Sequence, residues 1–220
     1  MRNQLVDSME IIRSSVAAPN IALVKYWGKR DDLLKLPVND SISITLDSRV
    51  LASRTTIMMS DKLGKDIFFI NGKETDDGHI AEALKLIRAR LERRYPPIAQ
   101  PMLIVSSNNF PTSAGIASSA SGFAALAQAI ASALGIEDMK EKSIIARLGS
   151  GSASRSMYGG FVRWNGGSRG DGEDSYASQI APVSHWPDIV DLVAITDAGV
   201  KRVSSKDGME RSALTSEFFI

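Results

Sequence analysis

Alternating apolar and polar residues predict a series of strands along the chain. Isoleucine and leucine alternate with Ser and Thr over 42–46, a pattern typical of a strand with one buried face. Other β-rich or apolar runs predict strands over 49–59, 66–70, 102–105, 161–164 and 189–196. Asn71 and Gly72 end the second of these runs and predict a hairpin turn, because both residues tolerate a positive φ. Residues 1–15 are expected to be a frayed extension or an edge strand.

Helical spacing marks other segments. Apolar residues recur on one helix face at Ile80, Leu84, Ile87 and Leu91. The basic residues between them are interpreted as a solvated helix face rather than a docking patch. A stretch rich in Ala, Gly and Ser over 112–135 predicts a helix packed closely on a sheet, after a turn at 111–115. Further helices are predicted over 140–148 and after Gly208. Strands and helices mix without a regular βαβα order, so the fold class is α+β.

The composition of the chain excludes several classes of protein. The chain has 220 residues, a net charge of +1 and 44% hydrophobic residues, which is typical of a globular protein and gives no support for nucleic-acid binding. The absence of Cys excludes disulfides and zinc-thiolate sites, and two His argue against a multi-histidine metal centre. No apolar run reaches the ~18–20 residues of a membrane span, and no signal-peptide core precedes Ser15. We therefore expect a cytoplasmic protein without a membrane partner.

Four separated segments combine glycines, hydroxyls and cations, which is the chemistry of an anion site: 25–29, 108–119, 149–156 and 201–206. The second places a Pro/Gly turn before a helix, whose free N–H groups suit phosphate. The third adds Arg155, whose planar fork matches a carboxylate or phosphate. An extended 25–29 segment would put Lys25 and Lys29 on one face. Each segment also has a structural alternative: a tightly packed helix, a flexible surface loop, or an edge strand with snorkelling lysines. A Walker A motif and a GxSxG elbow are absent.

At these residues the sequence resembles the diphosphomevalonate decarboxylases, a family of the GHMP small-molecule kinase superfamily. The matching stretches, in the family's order, are APNIALVKYWGKRD (18–31), SISITLDS (41–48), NNFPTSAGIASSASGFAALAQA (108–129), GSGSASRSMYGGFVRW (149–164), DSYASQIAP with HWP (174–187) and VKRVSSKDGMERSALTSEFF (200–219). The resemblance implies an α+β GHMP-kinase fold. Residues 1–187 would form a nucleotide-binding domain like ribosomal protein S5 domain 2, and residues 188–220 would begin a ferredoxin-like domain.

The resemblance also implies a reaction. ATP and Mg²⁺ would support phosphorylation of the tertiary 3-hydroxyl of (R)-5-diphosphomevalonate, and loss of phosphate and CO₂ would then give isopentenyl diphosphate. Two alternatives stay open: a relative that only phosphorylates, or that decarboxylates the monophosphate, and an inactive ligand-binding fragment. A homodimer is implied as well.

Site residues carry over position by position onto the matching stretches. Catalytic roles are implied for Lys29 and Arg155, and Arg155 would grip the C1 carboxylate. Substrate contacts are implied for Tyr26, Lys29, Ser150, Gly151, Ser152, Arg155, Ser205, Lys206 and Met209. Contacts to the ATP phosphates are implied for Asn109, Pro111, Ser113, Ala114, Gly115, Ala117, Ser118 and Ser119, with Ser119 also near Mg²⁺.

Some positions depart from the family pattern. Ser113 and Ser154 stand where Ala and Cys are usual, and both changes are expected to be tolerated. Asp40 replaces a usual Ser and puts an extra acid near a phosphate site. The family's catalytic Asp, in an Asp-Ala-Gly-Pro-Asn stretch, is not among these residues, and Asp197-Ala198-Gly199 only mimics its beginning. This chain alone is therefore expected to be inactive.

Overall fold

Two larger sheets, a two-stranded sheet of β3 and β4, and four α-helices lie in the part of the chain that the computed structural model describes, residues 10–111, 118–193, 203, 205–217 and 219. The strands are β1 (Ile11–Ala17), β2 (Asn20–Val24), β3 (Lys29–Asp31), β4 (Leu36–Pro37), β5 (Ser41–Thr45), β6 (Ser53–Met59), β7 (Ile67–Ile70), β8 (Lys73–Thr75), β9 (Met102–Asn108), β10 (Gly160–Trp164) and β11 (Ala177–Ala181). The helices are α1 (Gly78–Leu91), α2 (Ser118–Leu134), α3 (Met139–Gly149) and α4 (Ser205–Thr215). The predicted α+β class is confirmed.

The larger sheet has the order β1-β6-β9-β7-β8, in which only the β7–β9 pair is parallel. β1 is an edge strand, which is one of the two expectations for residues 1–15, although residues 1–9 lie outside the described part of the chain. The hairpin between β7 and β8 turns at Asn71 and Gly72, whose φ angles are +50° and +77°. This confirms the turn that the Asn-Gly pair predicts.

The small residues of α2 let this helix lie directly on the larger sheet. The helix packs against β1 and β6, and its alanines are almost all buried: Ala120, Ala124, Ala125, Ala127, Ala129 and Ala131. Methyl-sized side chains allow close approach of helix and sheet backbones, so the packing interpretation of this stretch is confirmed. The predicted turn at 111–115 lies outside the described residues after Pro111.

The helix α1 buries the four apolar residues whose spacing predicted it. Its basic face, however, is not simply solvated. Arg88 forms a bidentate pair with Asp66, and Arg90 bridges Glu141 and Glu173. These arginines join α1 to neighbouring segments because acidic partners distant in the sequence fold next to them.

The smaller sheet has the order β11-β10-β5-β2, with every neighbouring pair antiparallel. Its central strand β5 shows the predicted alternation, but the fully buried face carries Ser41 and Ser43 rather than the isoleucines, which are half-buried. The serine face is covered by a 3-10 segment, Gly151–Met157, whose Arg155 donates to the Ser41 hydroxyl. The alternation predicted the strand correctly, but tertiary contacts determine which of its two faces is buried.

Two predicted extended segments differ from the structure. Residues 25–28 do not continue β2: the chain turns at Gly28, where φ is +120°, so Lys25 and Lys29 do not share one strand face. Residues 189–193 are irregular, and Val190 and Leu192 are exposed, because no described strand pairs with them. Residues 194–196 lie outside the described part, and the domain boundary after residue 187 stays a prediction.

Candidate active site

The 3-10 segment Gly151–Met157 forms one wall of the candidate site. It follows α3 directly and is buried against the smaller sheet, so the flexible-surface-loop alternative for this glycine- and serine-rich stretch is wrong. A Cβ on Gly151 would lie 2.7 Å from the Trp164 ring and 3.0 Å from the Tyr26 hydroxyl. Only glycine therefore lets the segment approach these two aromatic residues so closely.

Arg155 is the buried cation of this site, only 3% exposed. Its Nη1 donates to Ser41 Oγ at 2.6 Å, and its Nε donates to Asn20 Oδ1 at 3.3 Å. Its guanidinium carbon lies 5.9 Å from the ring centres of both Tyr26 and Trp164. Burial lowers the pKa of Arg155 to about 10, which leaves the group charged at neutral pH.

No carboxylate of the described residues pairs with Arg155, and its Nη2 group has no hydrogen-bond partner among them. Buried charges in proteins are normally paired with an opposite charge or fully hydrogen-bonded. A cation held by neutral partners alone is suited to receive an anion. The structure thus provides a preformed receptor for a carboxylate or phosphate group.

Asn20 organises this receptor and was not among the site residues predicted from the sequence. Its Nδ2 donates to Ser156 Oγ at 2.7 Å and to the Ser152 carbonyl at 3.0 Å, while its Oδ1 accepts from Arg155. Asn20 thereby joins β2 to both ends of the 3-10 segment. The available signal was its place at the end of the APN triplet, where β2 begins.

Tyr26 and Lys29 lie on the segment that turns at Gly28. The Tyr26 ring packs edge-on against Trp164 with a centroid distance of 4.9 Å, and burial raises the pKa of its phenol. Tyr26 therefore stays a hydrogen-bond donor at neutral pH. The ammonium group of Lys29 forms an ion pair with Asp32, and its side chain is 12% exposed.

Four of the eight residues expected to contact ATP lie in the described part of the chain, on either side of residues 112–117. Ser118 and the exposed Ser119 occupy the first turn of this helix, which contains no acidic residue. Asn109 uses both ends of its amide to hold residues 50–52, accepting from the Ala52 N–H at 2.8 Å and donating to the Val50 carbonyl at 2.9 Å. Pro111 is exposed. Ser113, Ala114, Gly115 and Ala117 lie outside the described residues.

The helix α4 lies next to the Tyr26–Lys29 segment. A Cβ on Gly208 would lie 3.5 Å from the Trp27 ring, and one on Gly28 would lie 2.4 Å from the Phe219 ring. Met209 is buried. Ser205 and Lys206 begin this helix, but their side chains lie outside the described part of the structure. The fold therefore brings α4, which begins with Ser205 and Lys206, next to Trp27.

A family model described as the diphosphomevalonate decarboxylase-like N-terminal domain matches residues 17–177. The chain belongs to the diphosphomevalonate decarboxylase-like family. It is 47% identical to a diphosphomevalonate decarboxylase of Candida albicans over 94% of this chain and 60% of that protein. A mevalonate diphosphate decarboxylase structure from Trypanosoma brucei aligns with a TM-score of 0.83 and 40% identity, over 94% of this chain and 55% of that one.

Another similar structure is of MDDEF in complex with MVAPP, AMPPCP and magnesium. It aligns with a TM-score of 0.81 and 37% identity, over 96% of this chain and 63% of that one. This chain spans between about half and three fifths of the length of the curated family members that it matches. The match to decarboxylases within the GHMP kinase fold confirms the resemblance found in the motifs.

Two departures from the family pattern find a structural account. Ser154 is buried and donates to the Gly151 carbonyl at 2.7 Å, so its hydroxyl is satisfied within the 3-10 segment. Asp40 accepts from the Gly166 N–H at 2.7 Å and pairs with Arg163. The Gly166 hydrogen bond, supported by Arg163, lowers the pKa of Asp40. Asp40 thus ties β5 to the 166–174 loop.

The described residues contain no group of three or more His, Asp or Glu side chains that could hold a metal ion. Of the helices described, none is long and apolar enough to cross a membrane.

Proposed function

We propose that the protein catalyses the ATP-dependent decarboxylation of (R)-5-diphosphomevalonate to isopentenyl diphosphate, with release of ADP, phosphate and CO₂. The observation that carries this proposal is the buried Arg155, a cation that its hydrogen bonds orient and that no described carboxylate neutralises. A substrate carboxylate supplies the missing anion. Family membership favours this substrate over other carboxylates.

Arg155 holds the C1 carboxylate between two aromatic rings and the hydroxyl of Ser41, where little water can reach it. A bidentate pair with a guanidinium fixes the plane of the carboxylate as well as its position. Transfer of phosphate to the 3-hydroxyl makes that oxygen a leaving group. Phosphate then leaves with the C–O bonding electrons, and the electrons of the C–CO₂ bond form the new double bond. Departure of neutral CO₂ removes a charge from a water-poor site.

The N-terminus of α2 fits the phosphates of a nucleotide. ATP supplies the phosphoryl group that is transferred. A helix N-terminus carries a partial positive charge that favours anions, and the first described turn of α2 carries Ser118 and Ser119 and has no acid to repel an anion. Asn109 and its contacts with residues 50–52 hold the end of β9 from which the chain enters this turn.

Magnesium fits the same place through Ser119, whose exposed hydroxyl is available as a ligand. Mg²⁺ commonly keeps several waters and takes substrate phosphates with only one or two protein oxygens. The lack of an acidic cluster among the described residues agrees with a metal held mainly by phosphate.

The diphosphate end of the substrate requires cations, and Lys29 is the described candidate. Its pairing with Asp32 orients the ammonium group. The remaining NH₃⁺ protons are free to donate to phosphate oxygens, since an ammonium carries three. Ser150 and Ser152, whose hydroxyls lie 3.2 Å apart at the start of the 3-10 segment, are further candidate donors.

Product analysis tests the proposed function. Because this chain alone is expected to be inactive, it is produced joined to a segment that carries the family's catalytic Asp. The purified protein is incubated with ATP, Mg²⁺ and either diphosphomevalonate or its monophosphate. We expect CO₂, phosphate and isopentenyl diphosphate in equal amounts from the diphosphate. ADP without CO₂ would indicate a relative that only phosphorylates its substrate. Decarboxylation of the monophosphate alone would indicate the relative that acts on the monophosphate.

We also propose a cytoplasmic homodimer, as the family resemblance implies. The net charge of +1 offers no electrostatic basis for nucleic acid or a membrane as partner, and β1 is an edge strand with exposed Ile12 and Val16. Light scattering on the purified protein tests the assembly; a monomeric mass at micromolar concentration would contradict it.

A further inference from the structure

Arg147 is a buried arginine behind the site, 1% exposed, and none of the described hydrogen bonds joins it to a carboxylate. Its guanidinium instead donates to three backbone carbonyls. Nε donates to Leu34 O at 3.1 Å, and Nη1 donates to Gly172 O at 2.8 Å and to Ser175 O. One side chain thus joins α3, the turn between β3 and β4, and the loop before β11.

The hydrogen bond from Arg147 to the Leu34 carbonyl links Arg147 to the turn that positions Lys29. Leu34 lies in the turn that connects β3 to β4, and its N–H donates to Asp31 Oδ1 at 2.7 Å. The same turn carries Asp32, the ion-pair partner of Lys29. A fixed Leu34 carbonyl therefore fixes the turn that orients Lys29.

The Ser175 contact reaches the aromatic wall. The Ser175 hydroxyl accepts from the Trp164 indole N–H at 3.1 Å and donates to the Asn165 carbonyl at 3.0 Å. Trp164 in turn packs against Tyr26 and beside Arg155. Holding the Ser175 backbone therefore holds Trp164 at its place next to the buried cation.

We infer that Arg147 is a positioning residue that sets the Lys29 turn and the Trp164 wall relative to the 3-10 segment carrying Arg155. Arg147 itself lies near the end of α3, just before that segment begins. The guanidinium of Arg147 thus bonds the Lys29 turn and the loop that holds Trp164, while its backbone leads into the 3-10 segment. The inference rests on the proposed function for the identity of the substrate. The clamp, meaning the three hydrogen bonds from Arg147 to the carbonyls of Leu34, Gly172 and Ser175, does not depend on that function.

Arg147→Lys tests the inference because it keeps the charge while a compact ammonium cannot span three carbonyls in a fixed fork. Displacing binding groups by about 1 Å can lower a rate by up to about 10²-fold. We expect kcat/KM for diphosphomevalonate to fall at least about tenfold, with the KM for ATP changed less than about threefold. Unequal effects on the two substrates distinguish positioning from general destabilisation.

Arg88→Lys is the matched control. Arg88 also donates to backbone carbonyls, those of Ile98 and Gln100, and pairs with Asp66 on the far side of α1. Its replacement should lower the melting temperature without changing the KM for diphosphomevalonate. An equal change in that KM for both lysine variants would overturn the inference.

Gly172→Ala should disturb the same hydrogen bonds of Arg147 from the carbonyl side, without changing Arg147 itself. A Cβ there would lie 2.7 Å from Arg147 Nη2 and 2.7 Å from the Leu36 side chain, at a φ of +69°. Gly64→Ala is its control, because φ is +68° there and no atom lies within 4 Å. Only Gly172→Ala should repeat the loss in kcat/KM, and it keeps the inference testable if Arg147→Lys does not fold.

Hydrogen exchange separates this inference from the proposed function. Without ligand, Arg147→Lys should speed exchange of the Leu34 and Ser175 amides at least about tenfold, and Arg88→Lys should not. Unchanged exchange at both amides in a folded Arg147→Lys protein would overturn the positioning role. Wild-type protein that binds no diphosphomevalonate would overturn the proposed function, while the exchange result would still decide the clamp.

Discussion

Replacing Arg155 should separate catalysis from folding more sharply than any other single change. In the free protein Arg155 is held by Ser41 and Asn20 and has no ionic partner among the described residues. Its removal therefore breaks two hydrogen bonds but also removes a buried cation whose burial is itself unfavourable. The two effects oppose each other, so the melting temperature of Arg155→Ala should change little.

Catalysis should suffer far more. Removing a bidentate guanidinium–carboxylate pair from the transition state costs on the order of 2–4 kcal/mol, or roughly 30- to 900-fold in kcat/KM. Arg155→Lys should not restore the rate, because an ammonium group cannot make two parallel hydrogen bonds to a carboxylate while also bonding Ser41 and Asn20. The KM for ATP should stay close to the wild-type value.

Steady-state kinetics with either substrate varied, together with thermal melting, measures both effects. Arg163→Ala is a suitable control, since Arg163 lies on the same sheet but is exposed and pairs with Asp40. We expect its kcat/KM to remain within about threefold of wild type, as for a surface substitution. Near-wild-type turnover by Arg155→Lys would refute the assignment of Arg155 to the substrate carboxylate.

Three further substitutions test other parts of the account. Ser119→Ala should lower kcat at least about tenfold while the KM for ATP changes less, since the backbone of the α2 N-terminus remains; small, equal changes in steady-state kcat and KM would return this helix to a packing role. Gly151→Ala should abolish diphosphomevalonate binding in calorimetry, because its Cβ would lie 2.7 Å from the Trp164 ring; unchanged affinity would contradict the close approach. Asp40→Asn should reduce the free energy of unfolding by about 1 kcal/mol at pH 7. The lowered pKa of Asp40 means that its contribution is present above the unfolded-state pKa of about 4 and is lost as the pH falls through the lower folded-state pKa. Urea unfolding in which the deficit does not shrink as the pH is lowered below about 4 would contradict it.

The local sequence pattern was sufficient to predict the helices α1 and α2. The spacing of Ile80, Leu84, Ile87 and Leu91 predicted α1, and the abundance of small residues predicted how α2 packs, because both signals arise within one element. Partners from distant segments were not visible in the same way. Arg88 and Arg90 read as solvent-exposed charges until Asp66, Glu141 and Glu173 were brought beside them by the fold.

Only part of the site could be predicted from the sequence, because several of its contacts join residues that are distant along the chain. Motif resemblance selected Tyr26, Gly151 and Arg155, which the structure brings together. It did not select Asn20 or Ser41, which bond Arg155 across 135 and 114 residues of chain. Alternation in β5 gave the period of the strand but favoured the isoleucine face, whereas the buried face is the polar one that Arg155 requires.

A crystal structure of the protein with diphosphomevalonate tests the central claim most directly. The account predicts that the C1 carboxylate lies against the guanidinium of Arg155 with N···O distances of about 2.7–2.9 Å, while the hydrogen bonds to Ser41 and Asn20 persist. A substrate bound with its carboxylate away from Arg155, or with the diphosphate in that place, would contradict the account.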